Sequence, residues 1–354
     1  MRQKTVFMIL SVIFFLASAT QSFSFSGRLA DLPETAAVLF VANPDPLISR
    51  FEIYSMDING ENITRLTFTQ DDHSIMGIDR SRRYIVTSVT EVGSDHKTLF
   101  LLDLKTKLEI RLTSPRNHAE GRRFSPDGEW IVFLMKFAGE NQVDIYKIRR
   151  DGTSLINLTN TPNATEGDPA WSNDGKAIAY TYLDGDTKRF LLKTMDTNGK
   201  KIKTIYDGGP GVSVGNFPPG NYDPSWSPNG HWLIFERAIK ASNQNWGSGI
   251  WHIFRINKNS HRVRDISVRG RHTDRAEYLP SFSPCGKYIL FGSLYEDINP
   301  QLSHNDVFVM DKTGLNLRRF ASDKRLSKMF PVWIPPKERA LPCGGGRIER
   351  WQIF

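Results

Sequence analysis

Two aspartates occupy the same place in two repeats of this chain. Asp168 and Asp223 each lie three residues before a tryptophan, Trp171 and Trp226. Glu120, Glu166 and Glu277 fall close to the matching point of neighbouring repeats. Carboxylates gathered around one mouth can bind a cation or accept hydrogen bonds from a peptide or sugar; acting singly, they cap local turns. Histidines offer a second chemistry. His73, His118 and His272 each precede a short strand signal by a few residues, and neutral imidazoles brought together there could hold a divalent metal. No local zinc pattern such as H-E-x-x-H is present, so solvated loop histidines remain the simpler reading. Trp246, in the polar stretch 242–249, is an aromatic on a long loop and hence a contact candidate. Gly211-Val212-Ser213-Val214-Gly215 matches the G-x-S-x-G nucleophile elbow. That elbow needs a strand before the serine and a helix after it, whereas this copy sits in a Gly/Pro-rich connection and reads as a loop. The basic stretch 261–275 holds Arg262, Arg264, Arg269, Arg271 and Arg275, suited to carboxylates or phosphates on an acidic glycan or lipid head group, or simply to a solvated face.

The elements that must position these residues repeat. Phe124-Ser125-Pro126-Asp127-Gly128, Trp171-Ser172-Asn173-Asp174-Gly175, Trp226-Ser227-Pro228-Asn229-Gly230 and Phe282-Ser283-Pro284-Cys285-Gly286 are one phrase, an aromatic followed by a tight turn. An apolar strand-type run follows each, such as Trp130-Ile131-Val132-Phe133. A degenerate copy runs from Ile78 into Tyr84-Ile85-Val86, and a truncated one is Pro331-Val332-Trp333-Ile334. A second phrase alternates with the first, in copies such as Glu52-Ile53-Tyr54, Asp144-Ile145-Tyr146 and Asp306-Val307-Phe308. Each unit is therefore four short antiparallel strands, the signature of a propeller blade. Six innermost strands are expected, near 76–78, 122–124, 169–171, 224–226, 280–282 and 331–333. The first outer set, 36–67, has no inner strand before it, and Trp333 has no outer strands after it. The expected fold is an all-β, six-bladed β-propeller over 36–335, closed by a C-terminal strand that joins the N-terminal blade and leaves no open edge. The phrase aromatics are expected to pack between blades.

With their aromatic-Ser-Pro-Asp-Gly turns and Ile-Tyr-x-x-Asp strands, these blades resemble the repeats of the TolB family. The resemblance implies a periplasmic partner protein of the cell envelope. TolB proteins also carry an N-terminal α/β domain, which this sequence is expected to lack, and that departure weakens the carry-over of the Tol role. Similar blades occur in oligogalacturonate lyases and in prolyl-oligopeptidase-type peptidases, so a carbohydrate-active lyase with a metal near the propeller axis is the alternative reading.

The address agrees with an envelope protein. Met1 to Ala19 combines Arg2 and Lys4, an apolar run and an Ala17-Ser18-Ala19 cleavage site, which reads as a signal peptide rather than a membrane span. Residues 20–35 form a lead-in and 336–354 a basic tail. The 354 residues are 39% hydrophobic and 24% charged, with net charge +8, a globular composition. Two cysteines exclude a disulfide-dense scaffold. Whether Cys285 and Cys343 pair is open; export would tolerate it. The expected protein is an exported, monomeric, non-catalytic binding module for a protein or peptide ligand or an acidic glycan. No cofactor is expected beyond a divalent cation at the channel mouth, and nucleic acid is not an expected partner.

Overall fold

A computed structural model describes residues 28–336 except 45–49, 163, 210, 242–248, 268–275, 296–303 and 321–325. Trp246, His272, Cys343 and the leader 1–19 lie outside the described residues.

The described elements are all strands. Lys328–Trp333, Ala36–Ala42, Glu52–Asp57 and Thr64–Arg65 form one sheet in that order. Asp72–Ile78, Tyr84–Thr90, Lys97–Asp103 and Leu108–Arg111 form the next. His118–Phe124, Trp130–Lys136, Asp144–Arg149 and Ile156–Asn157 follow, then Glu166–Trp171, Ala177–Leu183, Phe190–Asp196 and Lys203–Tyr206. Two further sets run from Tyr222–Trp226 to Val263–Asp265 and from Ala276–Phe282 to Arg318–Arg319. One parallel pair, Trp251 with Ala276, joins them into an eight-stranded sheet. All other pairings between strands are antiparallel. The C-terminal strand pairs with the N-terminal one, Trp333 opposite Val38 and Val332 opposite Leu39.

The turn phrase works as its residue types dictate. Ser172 Oγ donates to Asp174 at 2.6 Å and accepts from Ala177 N at 2.9 Å. Ser227 does the same with Asn229 and Trp232. Gly175 and Gly230 take φ of 71° and 67°, a region where a Cβ is costly. In the degenerate copy Arg82 occupies that place at φ 62°. Its guanidinium reaches the carbonyls of Pro33 and Ala36 at 3.2 and 3.1 Å, which offsets the strain.

The core lies between sheets. Val132 and Ile145 of one sheet meet Trp171, Ile178 and Tyr180 of the next. The last set packs back on the first, with Leu290, Val307 and Val309 against Val38, Phe40 and Met56. Each sheet thus buries both faces, as its near-continuous apolar strands require. Cys285 is disulfide-bonded. No described helix is long and apolar enough to cross a membrane.

Candidate functional site

The first strand of every set carries a bulge at the same point. Asp168, Asp223, Leu279 and Phe330 have φ of 52°, 49°, 52° and 52°, and each precedes a proline: Pro169, Pro224, Pro280 and Pro331. Proline cannot donate to the ladder and disfavours the right-handed helical region in the residue before it. The strand accommodates it by slipping register, for example between Gly167 and Ala170 or between Tyr222 and Ser225. In the two copies without proline, Met76 and Arg122 are the unpaired residues.

The strands therefore start earlier than the sequence pattern suggests. Prolines 169, 224 and 280 mark a bulge inside the strand rather than its beginning. Glu120, Glu166, Asp168, Asp223, Glu277, His73 and His118 consequently lie within strands and not, as expected, in loops before them.

The bulges converge on a narrow cavity of about 40 Å³, lined by Met76, Arg122, Asp168, Asp223, Leu279 and Phe330 among others. Arg122 bridges the two aspartates. Its Nη2 lies 2.5 Å from Asp168 Oδ1 and its Nη1 2.8 Å from Asp223 Oδ1. Asp168 Oδ2 also accepts from the Asp223 backbone N–H and from Thr181 Oγ1, both at 3.2 Å. Burial works against the Arg122 charge, but the two aspartates outweigh it and hold its pKa above the ordinary value. Burial, then the Asp168 charge, pushes Asp223 up to about 7. Glu236 accepts from the Leu279 backbone N–H; burial and Asp223 push its carboxyl well up. Asp168 and Asp223 are thus brought into one cluster in the narrow cavity, centred on an arginine.

The other predicted acids are elsewhere. Glu120 accepts from Lys97 Nζ at 2.9 Å and lies 3.4 Å from His118 Nε2. The His118 bond is the main reason its pKa falls, against the effect of burial. Glu166 and Glu277 are 2% and 1% exposed. Burial pushes each up to about 7, and Glu277 accepts from Ser267 Oγ. They belong to a row of buried polar residues, each five positions before the last residue of its first strand: His73, Glu166, Asn221, Glu277 and Lys328. These tie neighbouring strands together. Asn221 Nδ2 donates to Phe190 O at 3.0 Å and Lys328 Nζ to Asp306 Oδ1 at 3.3 Å. His73 Nε2 lies 3.0 Å from Thr69 Oγ1, and burial lowers its pKa to about 4. A histidine so enclosed serves the sheet, which corrects the expectation of a solvated loop histidine. Among the described residues no three of His, Cys, Asp and Glu are grouped to hold a metal ion. Ser213 lies in an irregular segment, with Val214 and Phe217 paired in a turn and no helix behind it.

Above the narrow cavity the site opens into a cup of about 580 Å³, in the size range of ligand pockets. Its wall is aromatic and proline-rich: Phe124, Trp171, Trp226, Phe282 and Trp333 alternate with Pro126, Pro228 and Pro284. The indole N–H groups of Trp226 and Trp333 each donate to the preceding set, to Ala170 O at 3.2 Å and Ser281 O at 3.3 Å. Packing between sets was expected of these aromatics; their second role as a lining was not. Sequence reading also missed Arg122, Arg123 and Glu236. The signal for the arginines was present, since Arg122-Arg123 stands where other repeats carry Pro169-Ala170, Pro224-Ser225 and Pro280-Ser281.

Residues 79–244 match the family model of the TolB beta propeller domain. Among curated proteins, the chain is 30% identical over 149 residues to an uncharacterized protein of Agrobacterium fabrum, covering 39% of this chain and 46% of that one. It is 23% identical over 216 residues to an uncharacterized peptidase of Bacillus subtilis, covering 52% and 32%. The chain spans less than half the length of these relatives. Among solved structures, TolB from Acinetobacter baumannii superposes with a TM-score of 0.62 at 18% identity, covering 86% of this chain and 68% of that one. A putative TolB from Agrobacterium tumefaciens gives 0.54 at 17%, covering 88% and 99%. The fold is that of the TolB-like β-propellers.

Proposed function

We propose that this protein is an exported, non-catalytic binding scaffold of the cell envelope, a six-bladed propeller whose ring is shut by Lys328–Trp333 on Ala36–Ala42, and that it takes a protein or peptide ligand in its axial cup. The observation that carries this reading is the make-up of the axis. At the centre Arg122 is spent on Asp168 and Asp223, while the accessible cup is walled mainly by aromatics and prolines, with Asp79, Arg80 and Arg123 among its lining. Rigid aromatic surface is what peptide contacts use. The serines that line the cup, Ser125, Ser225, Ser281 and Ser283, have no histidine or lysine beside them among the described lining residues to act as base. Export is supported by the leader-like segment 1–19 and by the disulfide at Cys285.

The test is site-specific photocrosslinking in native envelopes. A crosslinker at Asn173, an exposed cup-lining turn residue, is expected to trap a discrete protein partner. One at Ile202, 55% exposed outside the cup lining, is expected to trap none. Equal yields at the two positions, or no adduct at Asn173, would sink the scaffold reading.

A further inference from the structure

One position in the cup breaks the repeat. The residue before the last one of each first strand is Gly77, Arg123, Ala170, Ser225, Ser281 and Val332, and all six line the cup. Five are small or apolar. Arg123 alone brings a charge, and it lines both the cup and the narrow cavity below it. Among the described residues its guanidinium has no hydrogen-bond or ion-pair partner. Asp223, the acid whose charge acts on it, already accepts from Arg122. Burial and Arg122 together lower the Arg123 pKa, against Asp223; its charge is kept, since arginine does not deprotonate in proteins. A planar fork of donors is thus left unused at a partly desolvated site, where a charge-assisted bond is strong.

Another donor in the cup wall is also unmatched. Trp226 and Trp333 give their indole N–H to the carbonyl of the preceding set at this same position. By the repeat, Trp171 would give its own to Arg123 O. It does not: Trp171 is 8% exposed and its Nε1 is buried without a partner. Unmatched buried donors are uncommon in folded proteins and ask for an acceptor.

We infer that Arg123 anchors a carboxylate at the floor of the cup, and that the ligand is a peptide end whose free α-carboxylate meets this guanidinium while its apolar side chain lies among Phe124, Trp171 and Trp226. This rests on the peptide-binding reading above and names the chemical group recognised. A single planar guanidinium suits one negative charge shared over two oxygens; a doubly charged phosphate would call for more donors.

The experiment uses the full chain and two small probes, N-acetylphenylalanine as free acid and as amide, with binding read from tryptophan fluorescence and calorimetry. Wild type is expected to prefer the acid at least tenfold. Arg123→Ser places there the residue that positions 225 and 281 already carry, so it should fold normally, and it is expected to abolish the acid–amide difference; Arg123→Lys should restore part of it. Equal binding of acid and amide to wild type, a preference that survives in Arg123→Ser, or tighter binding of phenyl phosphate than of the acid would each overturn the inference. So would no binding of either probe, the result expected if a second copy or another segment of this chain took the cup. In all those cases a partner crosslinked at Asn173 would still leave the scaffold reading standing, so the two failures are distinguishable.

Discussion

The narrow cavity has two unlike arcs. On one side Arg122, Asp168 and Asp223 present charge; on the other Met76, Leu279 and Phe330 present only carbon and sulfur. Yet each arc uses the same two backbones: Arg122 and Met76 are the unpaired residues of the copies without proline, and the other four share a second one. Asp168, Asp223, Leu279 and Phe330 share a left-handed φ within 3° of one another and a following proline. The bulge decides where a side chain is aimed, and the residue type decides only what arrives there. The repeat thus behaves as a scaffold with interchangeable lining, and the polar arc is a choice made at three positions rather than a demand of the fold.

The largest test removes the hub. Arg122→Ala leaves Asp168 and Asp223 facing each other without the guanidinium that bridges them and should cost ~3–5 kcal/mol in denaturant unfolding at pH 8. Part of this loss should vanish at pH 5, where Asp223, already raised to about 7, takes up a proton. The companion experiment copies the apolar arc into the polar one. Arg122→Met with Asp168→Leu and Asp223→Leu should unfold within about 1 kcal/mol of wild type or be more stable, because a satisfied buried ion cluster is often no better than carbon of similar volume. Leu279 already shows that leucine is accommodated at this φ. A loss as large as that of Arg122→Ala would mean that the two arcs are not interchangeable.

A smaller effect separates the arcs by pH. The folded pKa of Asp223 lies above its unfolded value, so the native state keeps a proton that the unfolded chain has released. Stability from this group is present below about pH 4 and is lost as pH rises towards 7, by up to about 1.4 kcal/mol per unit. Asp223→Asn keeps an acceptor for Arg122 and should flatten that slope; a slope unchanged from wild type would refute the assignment. The smallest expected effect lies in the cup. Trp226→Phe loses a buried hydrogen bond to Ala170 O and should cost ~1 kcal/mol more than Trp171→Phe, whose N–H has no partner to lose. Equal losses would show that the indole bonds do not differ between the two walls.

Much of this was readable in the chain. The Ser-Pro-Asp-Gly phrases located the turns because each residue has one local job there, and the unmatched fragments at 36–67 and 331–334 pointed to the pairing of Trp333 with Val38. Asp168 and Asp223 stood out because both precede Pro-x-Trp. Burial of Glu166 and Glu277 was not legible, because a proline normally opens a strand and here it sits in a bulge with three residues of strand ahead of it in the Glu166–Trp171 copy. Arg122 escaped notice because its partners are 46 and 101 residues away in the chain, a proximity that only the stacking of sets creates.

The union of Lys328–Trp333 with Ala36–Ala42 has a consequence for biosynthesis. A chain made from its N-terminus holds Val38 and Leu39 without their edge neighbour until Val332 and Trp333, far later in the sequence, have been synthesised. Such a sheet cannot be finished stepwise on the ribosome. Its last hydrogen bonds wait for Lys328–Trp333, and joins of such long sequence separation form slowly. The first sheet therefore keeps an open edge through most of the time that the rest of the propeller-type repeats are being made.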